Sequence, residues 1–407
     1  MTGILIIANA ANRAKVFTPV ADKLSEMGMK VSFISLDSVL DGKASDVLRK
    51  SRHPFIEFPF STEVKLYDMK RSDRFRTLRQ IRVKVMELLD TIKPDVILLG
   101  AAAYIEGIFI EEARRRKIKT SLMQDGLRLD EPASMIEKLK ASLIRYSTSC
   151  VNEWTLAFTG VNYFFAPFGT NRVDKILLFG NDRLDSLRKS GVRREKLVAV
   201  GSPVYDNLIS IPNKRMSEIR SYFSLPPKRP TLLLGMQCFH AHNILPLDEE
   251  IKIVENLVNL FRKLEHIDLI IKLHPDNDYN IYRLRFIEWK VPDNVHLVKD
   301  EFTPSELLSI STAFTTVFST MALEALVKFI PVIALDYVRV TCKLNLDPAA
   351  VGVKSIDELE ALLRKENWVE ELKMQLKKNR DQILDRELVN LGFAAEKAAE
   401  ELVRLIR

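Results

Sequence analysis

The chain has 407 residues, of which 47% are hydrophobic and 28% charged, and its formal net charge is +7. This length favours two domains of about 200 residues each, and the composition excludes a disordered chain. No stretch approaches the ~20 apolar residues of a membrane span, and no basic region precedes the short apolar start. We therefore expect a cytoplasmic protein, with peripheral contact to the inner face of the cell membrane as a further option. Cys150, Cys238 and Cys342 are too widely spaced for a disulfide framework or a metal knuckle.

In the first half of the chain, short apolar runs alternate with stretches of helical periodicity. Strands are predicted at residues 4–8, 30–35, 94–99, 119–123, 175–179 and 196–200, and helices at about 17–27 and 101–115. This alternation predicts a parallel sheet with helices on both faces.

A basic segment and a long connection interrupt this pattern. Between Lys65 and Lys84 the chain carries eight basic residues against two aspartates. Such a patch attracts phosphates or an anionic membrane surface, or it is a solvated helix face. We expect no nucleic-acid partner, because the chain lacks zinc-finger spacing, an RNA-recognition signature and basic-zipper heptads. Residues 130–174, with an aromatic run at 163–168, are predicted to form a lid, a membrane contact or a helix with core aromatics.

Proline clusters divide the chain, because Pro212 and the group from Pro226 to Pro230 bracket one short helix. After them the alternation restarts. Strands are predicted at 231–234, 268–273, 295–297, 315–318 and 331–335, helices at 249–264, 305–311 and 321–328, and a polar helical tail at 356–407.

We therefore predict an α/β protein with two tandem Rossmann-like, doubly wound domains at residues 1–208 and 231–385. A linker at 209–230 joins them, and a C-terminal helix at 386–407 packs back on the first domain. Ligands of such sheets bind at the carboxyl ends of the strands, which predicts a ligand site in an interdomain cleft.

The segment from Phe318 to Glu324 marks a point where a predicted strand ends and a helix begins. The hydroxyls of Ser319 and Thr320, with free backbone N–H groups, form a candidate anion site there. Glu324, one turn further on, is placed to accept hydrogen bonds from a ribose. The alternative is plain N-capping by Ser319, with Glu324 as a surface carboxylate.

A second candidate site lies at Lys272-Leu273-His274-Pro275, where the proline ends another predicted strand. The imidazole of His274 can donate to a phosphate oxygen or to a nucleotide base, although a lone histidine is often structural. Gly235 and Gln237, after the first strand of this domain, contribute a third loop on the same rim.

The first domain offers its own candidate at Gln124-Asp125-Gly126, directly after a predicted strand. A carboxylate there can take a proton from an attacking sugar hydroxyl, and the glycine allows a sharp turn. The alternative is an ordinary Asp-Gly turn. Gly201 and Ser202, which close the last strand of this half, are expected to shape the hinge or line the cleft.

These motifs resemble those of bacterial sialyltransferases and polysialyltransferases. Leu273-His274-Pro275 resembles their His-Pro motif, Phe318-Ser319-Thr320 their Ser-Ser/Thr motif, and Asp125-Gly126 their acidic-acidic-Gly motif. Residues 178–206 resemble a segment of capsule polysaccharide transferases, CDP-glycerol glycerophosphotransferases and relatives of UDP-N-acetylglucosamine 2-epimerase. Together the resemblance covers roughly residues 95–340.

The resemblance implies GT-B architecture, with an acceptor-binding first domain and a nucleotide-sugar-binding second domain. It implies that Asp125 is the general base for the acceptor hydroxyl and that His274 contacts the nucleotide phosphate. Ser319 and Thr320 match the phosphate-binding hydroxyl pair, and Glu324 matches the carboxylate near the ribose. At the first acidic position of its motif this chain has glutamine instead.

The leading hypothesis is a metal-independent, inverting transfer of a sugar from a CMP-, UDP- or CDP-linked donor to a surface glycan or lipid-linked acceptor. No cofactor or metal is expected, because positive groups and helix ends hold the leaving phosphate in GT-B enzymes. Alternatives are a UDP-N-acetylglucosamine 2-epimerase, a polyol-phosphate transferase and a non-catalytic scaffold for glycan assembly. Against the epimerase, its Gly-Thr-Arg-Pro-Glu-type loop is replaced by the residues from Ala8 to Arg13.

Overall fold

Two separate parallel sheets form the framework of the protein. The structure is a computed structural model. It describes residues 3–40, 42–126, 151–152, 154–156, 158–161, 168–169, 172–206, 208, 211–242, 244–338 and 346–406. The described residues form two compact units, of which the first contains those up to 206 together with 385–406, and the second those from 208 to 384.

The first unit is built on seven parallel strands in the spatial order β3-β2-β1-β4-β5-β6-β7. The strands are β1 (Gly3–Ala8), β2 (Lys30–Ser35), β3 (Phe55–Glu57), β4 (Val96–Leu99), β5 (Lys119–Met123), β6 (Lys175–Leu178) and β7 (Leu197–Ala199). The central strand β4 is buried along its whole length, as expected for a parallel strand covered on both faces. The order reverses between β1 and β4, so their carboxyl ends open the crevice where ligands of doubly wound sheets bind.

Helices of the first unit cover this sheet. They are α1 (Ala11–Glu26), α2 (Ala44–Leu48), α3 (Arg71–Ile92), α4 (Tyr104–Arg115) and α5 (Asn181–Lys189). Helix α1 begins at Ala11 rather than at residue 17, because the polar residues Asn12 and Arg13 form its first turn instead of a loop.

The second unit repeats the design with six parallel strands in the order β10-β9-β8-β11-β12-β13. They are β8 (Thr231–Gly235), β9 (Asp268–Lys272), β10 (Val295–Val298), β11 (Ala313–Thr316), β12 (Val332–Leu335) and β13 (Val351–Val353). The order reverses between β8 and β11, which places the second crevice at their carboxyl ends.

Helices of the second unit enclose a core in which β8 and β9 are buried throughout. They are α6 (Asn213–Tyr222), α7 (Leu247–Phe261), α8 (Tyr279–Glu288), α9 (Pro304–Ser309), α10 (Met321–Val327), α11 (Ile356–Leu363) and α12 (Trp368–Glu387). The short helix α6 occupies part of the predicted linker and belongs to this unit.

The last helix, α13 (Ala394–Arg404), belongs to the first unit and packs along α1. Asp206 caps its N-terminus, because the backbone N–H groups of Ala394 and Ala395 donate to its carboxylate over 2.9 and 2.6 Å. No helix in the described residues is long and apolar enough to cross a bilayer.

Most of the connection at residues 130–174 lies outside the described residues. This includes residues 127–150 and 162–167, on which the prediction of a lid, a membrane contact or a core helix rests. Within the aromatic run, Phe168 is described, and it packs against the first core.

Candidate functional site

Arg13 lies at the crevice of the first sheet and joins two carboxylates. Its Nε donates to Asp125 Oδ2 over 2.7 Å, and its Nη1 donates to Glu106 Oε1 over 3.0 Å. Arg13 is in the first turn of α1, Glu106 in the first turn of α4, and Asp125 follows β5. The carboxyl ends of three neighbouring strands, β1, β4 and β5, thus contribute one charged residue each.

The members of this triad differ in exposure. The side chain of Glu106 is 2% exposed and that of Arg13 16%, whereas that of Asp125 is 34% exposed. Burial raises the pKa of Glu106, with a smaller contribution from Asp125, and Arg13 opposes the shift. Burial lowers the pKa of Arg13, but the two carboxylates outweigh it and hold that pKa above its ordinary value. Asp125 is therefore the member of the triad that faces solvent.

Asn9 and Gly100 lie next to this triad and shape its surroundings. Asn9 Nδ2 donates to Glu106 Oε1, while Asn9 Oδ1 is buried without a hydrogen-bond partner in the described part of the chain. A Cβ on Gly100 would lie 2.3 Å from Arg13 Cδ, so glycine is required there for the arginine side chain to pass.

Two tyrosines and an arginine complete this side of the crevice. Tyr104 begins α4 at a φ of 34°, an unfavourable backbone conformation for an aromatic residue, and such strain is often retained at functional sites. Its ring lies 5.9 Å from that of Tyr67, and burial raises the pKa of Tyr67 to about 12. Arg74 donates to the Tyr104 hydroxyl over 3.0 Å and to the carbonyl oxygens of residues 66, 67 and 69. It holds the loop that carries Tyr67.

The structure places Gln124 in a supporting role beside Asp125. Its side-chain amide donates to Gly126 O over 2.8 Å and accepts from Phe179 N over 3.0 Å, which ties the turn after β5 to β6. Gly126 lies at a bend of the backbone, but this bend does not require glycine. Its φ is not left-handed, and an added Cβ would meet no described atom.

Gly201 and Ser202 pack against the C-terminal segment of the same unit. Gly201 has a φ of 92°, and a Cβ there would lie 2.1 Å from Val389 O, so only glycine fits. Ser202 is 2% exposed, and its hydroxyl lacks a hydrogen-bond partner among the described residues. Burial removes Ser202 from solvent, which argues against the expected ligand contact, and the hinge role of the pair stays a prediction.

At the crevice of the second sheet, hydrogen bonds join the loops that follow β8 and β11. Gln237 Nε2 donates to Gly235 O and to Thr316 Oγ1, and the Thr316 hydroxyl donates to Gly235 O. Ser319 N in turn donates to Thr316 Oγ1 over 3.0 Å. Gly235 and Gln237 are buried, so they position the loops and do not themselves present groups to a ligand.

Ser319 and Thr320 leave hydroxyls at this edge. Thr320, not Ser319, occupies the N-cap position of α10, and its side chain makes no capping hydrogen bond. Thr320 is exposed, while Ser319 Oγ accepts from Met321 N over 3.3 Å. The capping alternative thus applies weakly to Ser319 and not to Thr320.

His274 is presented on the loop after β9 with a defined tautomer. Its Nδ1 accepts a hydrogen bond from Asp276 N over 3.2 Å, so the neutral ring carries its proton on Nε2. Burial lowers the pKa of His274, and His242 and Lys272 lower it further while Asp276 opposes them. The ring of His242 lies 5.6 Å away in an edge-to-face arrangement. Two histidines therefore face the same edge, both able to donate to a phosphate.

Glu250 connects the loop that carries His242 with the loop that carries His274. Its buried carboxylate accepts from His240 N and Asn277 Nδ2, each over 2.7 Å, and from the Tyr282 hydroxyl. Asn277 Oδ1 accepts from His274 N over 2.8 Å. One carboxylate on α7 thereby fixes the loop after β8 and the loop that carries His274.

Lys272 differs from expectation, whereas Glu324 departs only from the alternative of a surface carboxylate, and its contact with a ribose stays a prediction. The Lys272 ammonium donates to the carbonyl oxygens of Leu273 and Lys299, and burial lowers its pKa, so it clamps backbone instead of facing a phosphate. Glu324 is not a surface carboxylate. Burial raises its pKa, Ser305 and Lys328 oppose this effect, and its Oε1 has no hydrogen-bond partner among the described residues. Pro275 is exposed beside His274 and follows the end of β9, where the sequence predicts that the strand ends.

Sequence reasoning missed Arg13, Glu106, His242 and Glu250. A signal existed for Arg13 and His242, because they follow the predicted strands 4–8 and 231–234 by five and eight residues. Glu106 and Glu250 lie in amphipathic helices, where a carboxylate reads as solvent-facing. In the described part of the chain, no group of three or more His, Cys, Asp or Glu side chains is arranged to hold a metal ion.

Comparison with known proteins identifies the fold. No family model matches the chain, and no curated protein matches it. Among solved structures, UDP-GlcNAc 2-epimerase from Neisseria meningitidis bound to UDP-GlcNAc is similar, with a TM-score of 0.62 and 15% identity over 99% of this chain and 100% of that one. A glycosyltransferase from Rickettsia africae and the glycotransferase of kitacinnamycin each give a TM-score of 0.63 and 14% identity over 100% of this chain and 99% of theirs. The prediction of two Rossmann-like units of the GT-B type is confirmed.

Proposed function

We propose that the protein is an inverting, metal-independent glycosyltransferase that moves a sugar from a CMP-, UDP- or CDP-linked donor to a surface glycan or lipid-linked acceptor. The observation that carries this proposal is the edge of the second sheet, where His274 and His242 stand on loops bonded to each other through Glu250. The loops after β8 and β11 meet at the same edge. The hydrogen-bond donors at this edge suit the phosphate groups of a nucleoside diphosphate or monophosphate.

The chemistry follows from the groups available. The acceptor oxygen forms a bond to the anomeric carbon of the donor sugar, and the bond from that carbon to the phosphate oxygen breaks. The proton of the acceptor hydroxyl passes to Asp125, whose carboxylate is the solvent-facing member of the triad. The Nε2–H of His274 and the hydroxyls of Ser319 and Thr320 donate to the departing phosphate, whose negative charge grows as the bond breaks.

The same fold is compatible with a 2-epimerase, because solved epimerases are among the structural neighbours. Epimerisation needs no acceptor, whereas transfer does. The segment after β1 favours transfer, since the residues from Ala8 to Arg13 replace the Gly-Thr-Arg-Pro-Glu-type sequence, and Asn9 and Arg13 donate to Glu106 and Asp125. A polyol-phosphate transferase would use the same phosphate-binding edge and would leave phosphorus in the product.

The proposal is tested by incubating the protein with CMP-, UDP- and CDP-linked sugars, with and without a glycan or lipid-linked acceptor. Free nucleotide and the sugar bound to the acceptor are then quantified. We expect acceptor-dependent release in the wild type and a fall of about 10²–10⁴-fold in Asp125→Asn, which removes proton transfer and leaves nucleotide affinity nearly intact. Asp95→Asn, at the start of the same sheet, is the control. Isomerised UDP-sugar without acceptor would favour the epimerase, and full turnover in Asp125→Asn would place the base elsewhere.

A further inference from the structure

The triad of Arg13, Glu106 and Asp125 contains a second carboxylate, which is not needed to hold Asp125 in place. Arg13 donates to Asp125 over 2.7 Å and to Glu106 over 3.0 Å. An arginine that faced Asp125 alone would hold it as a carboxylate so firmly that it would be a poor proton acceptor. The second carboxylate changes this balance, because the one positive charge is shared by two negative ones.

We infer that Arg13 and Glu106 act together as positioning residues, in which Arg13 fixes the Asp125 carboxylate and Glu106 offsets the arginine charge so that Asp125 remains basic enough to accept a proton. This inference rests on the assignment of Asp125 as the base in the proposed function. Arg13 binds Asp125 Oδ2, and the described residues supply no hydrogen-bond donor to Oδ1.

Burial makes the offset effective. Glu106 is 2% exposed, so its charge reaches Asp125 with little screening by solvent. Asn9 and Arg13 both donate to its Oε1, and these hydrogen bonds favour the ionised form of Glu106 and oppose the rise that burial causes in its pKa. With all three groups ionised, the triad carries one net negative charge, and it becomes neutral when Asp125 takes a proton.

Within the described part of the chain, few other charges face this cluster. Tyr67 approaches from the loop before α3 and Tyr104 from α4, and burial raises the pKa of Tyr67 to about 12. Arg74 on α3 donates to the Tyr104 hydroxyl and to three backbone carbonyl oxygens, so it is directed away from Asp125. Among the described residues, Arg13 and Glu106 are therefore the charges that act most strongly on Asp125.

The test uses variants that move the protonation of Asp125 in opposite directions. Glu106→Gln keeps the shape and an acceptor for Asn9 and Arg13 but removes the negative charge. It should move the protonation midpoint of the Asp125 carboxyl to lower pH, by about one pH unit. Arg13→Met should move it to higher pH by a similar amount. The double variant Arg13→Met with Glu106→Gln removes the buried pair and should fall between the two single variants.

The midpoint is measured by NMR on protein labelled with ¹³C at the aspartate carboxyl carbons, with the Asp125 signal assigned from its absence in Asp125→Asn. A pH profile of nucleotide release on the same variants gives the acidic limb of turnover. Glu112→Gln is the matched control, because Glu112 also lies buried in α4 and accepts from Arg82 over 2.7 Å but does not contact Asp125. We expect the Asp125 midpoint to stay in place in Glu112→Gln.

The outcomes separate this inference from the proposed function. Midpoints that stay fixed, or that move the same way in Glu106→Gln and Arg13→Met, overturn the inference even if Asp125→Asn is inactive. Opposite movements with full turnover in Asp125→Asn would support the charge balance and remove Asp125 as the base. If Arg13→Met does not fold, Glu106→Gln alone decides, because a midpoint that stays in place or moves to higher pH contradicts the offset.

Discussion

At the residue scale, the sequence around His274 does not reveal the role of this side chain, because that role depends on its contacts in the folded protein. The sequence marks it only as a histidine before a proline at a strand end. Its tautomer depends on Asp276 N, and its orientation depends on Asn277, which Glu250 holds. Glu250 lies 27 positions before Asn277 in sequence, so no local pattern predicts this support.

We expect the protonation of His274 to make the affinity for nucleotide depend on pH. Its pKa lies below the ordinary value, so the free protein carries a neutral ring at pH 7. An anionic phosphate favours the imidazolium and raises that pKa in the complex. We therefore expect nucleotide affinity to rise as pH falls from 8 to 5.5, by about tenfold for each pH unit that separates the pKa of the complex from that of the free protein.

Isothermal titration calorimetry across this pH range measures the effect. In His274→Ala the affinity should be weaker and its rise at low pH should be lost. His266→Ala, at an exposed position in the same unit, serves as control and should retain both. A rise that persists in His274→Ala would assign the proton to another group.

At the scale of elements, the strand ends were predictable because glycine, proline and polar residues follow apolar runs. Strands β3 and β13 were not predicted, since a glutamate ends the first and a glycine interrupts the second, so neither is a continuous apolar run. The start of α1 was misplaced because Asn12 and Arg13 suggested a loop, and this is why Arg13 was missed.

The basic residues from Lys65 to Lys84 were treated as one patch, yet several are structural. Lys65, Arg74 and Arg82 bind backbone carbonyl oxygens or Glu112.

Helix α7 offers a stability test through Glu250. Glu250→Ala leaves His240 N–H, the Asn277 amide and the Tyr282 hydroxyl without their acceptor. We expect a loss of about 3 kcal/mol in the free energy of unfolding, and weaker nucleotide binding because both histidine loops loosen. Tyr282→Phe should cost about 1 kcal/mol. Urea denaturation measures both. The exposed neighbour Glu249→Ala should change stability by less than about 0.5 kcal/mol, and an equal loss there would refute the role of Glu250.

Helix α3 retains exposed basic side chains that suit an anionic membrane surface, among them Arg76 and Arg79. Reversing both to glutamate should weaken co-sedimentation with vesicles of about one-third anionic lipid by roughly tenfold or more, because each cation near such a surface contributes about 1 kcal/mol. Lys373→Glu with Lys377→Glu on α12 is the matched charge reversal elsewhere. Binding that ignores both salt and anionic lipid would exclude this surface.

At the scale of the whole molecule, the two Rossmann-like units followed from the alternation of strands and helices and from the prolines between them. The strand order within each sheet did not, because order depends on how distant segments pair. That order matters for function, since it brings Arg13, Glu106 and Asp125 to one crevice and Gln237, Thr316 and Ser319 to the other. Under the proposed function, specificity for the nucleotide, the sugar and the acceptor depends on side-chain contacts, which the pattern of strands does not predict.

The most direct test of the central proposal is a calorimetric binding screen of CMP, CDP, UDP and GDP against the wild type and His274→Ala. We expect one cytidine or uridine nucleotide to bind with a Kd of about 1 µM to 1 mM, and His274→Ala to weaken that binding by about tenfold. Absence of binding to the wild type by all four nucleotides would contradict a nucleotide-sugar enzyme and favour a scaffold that has kept only the fold.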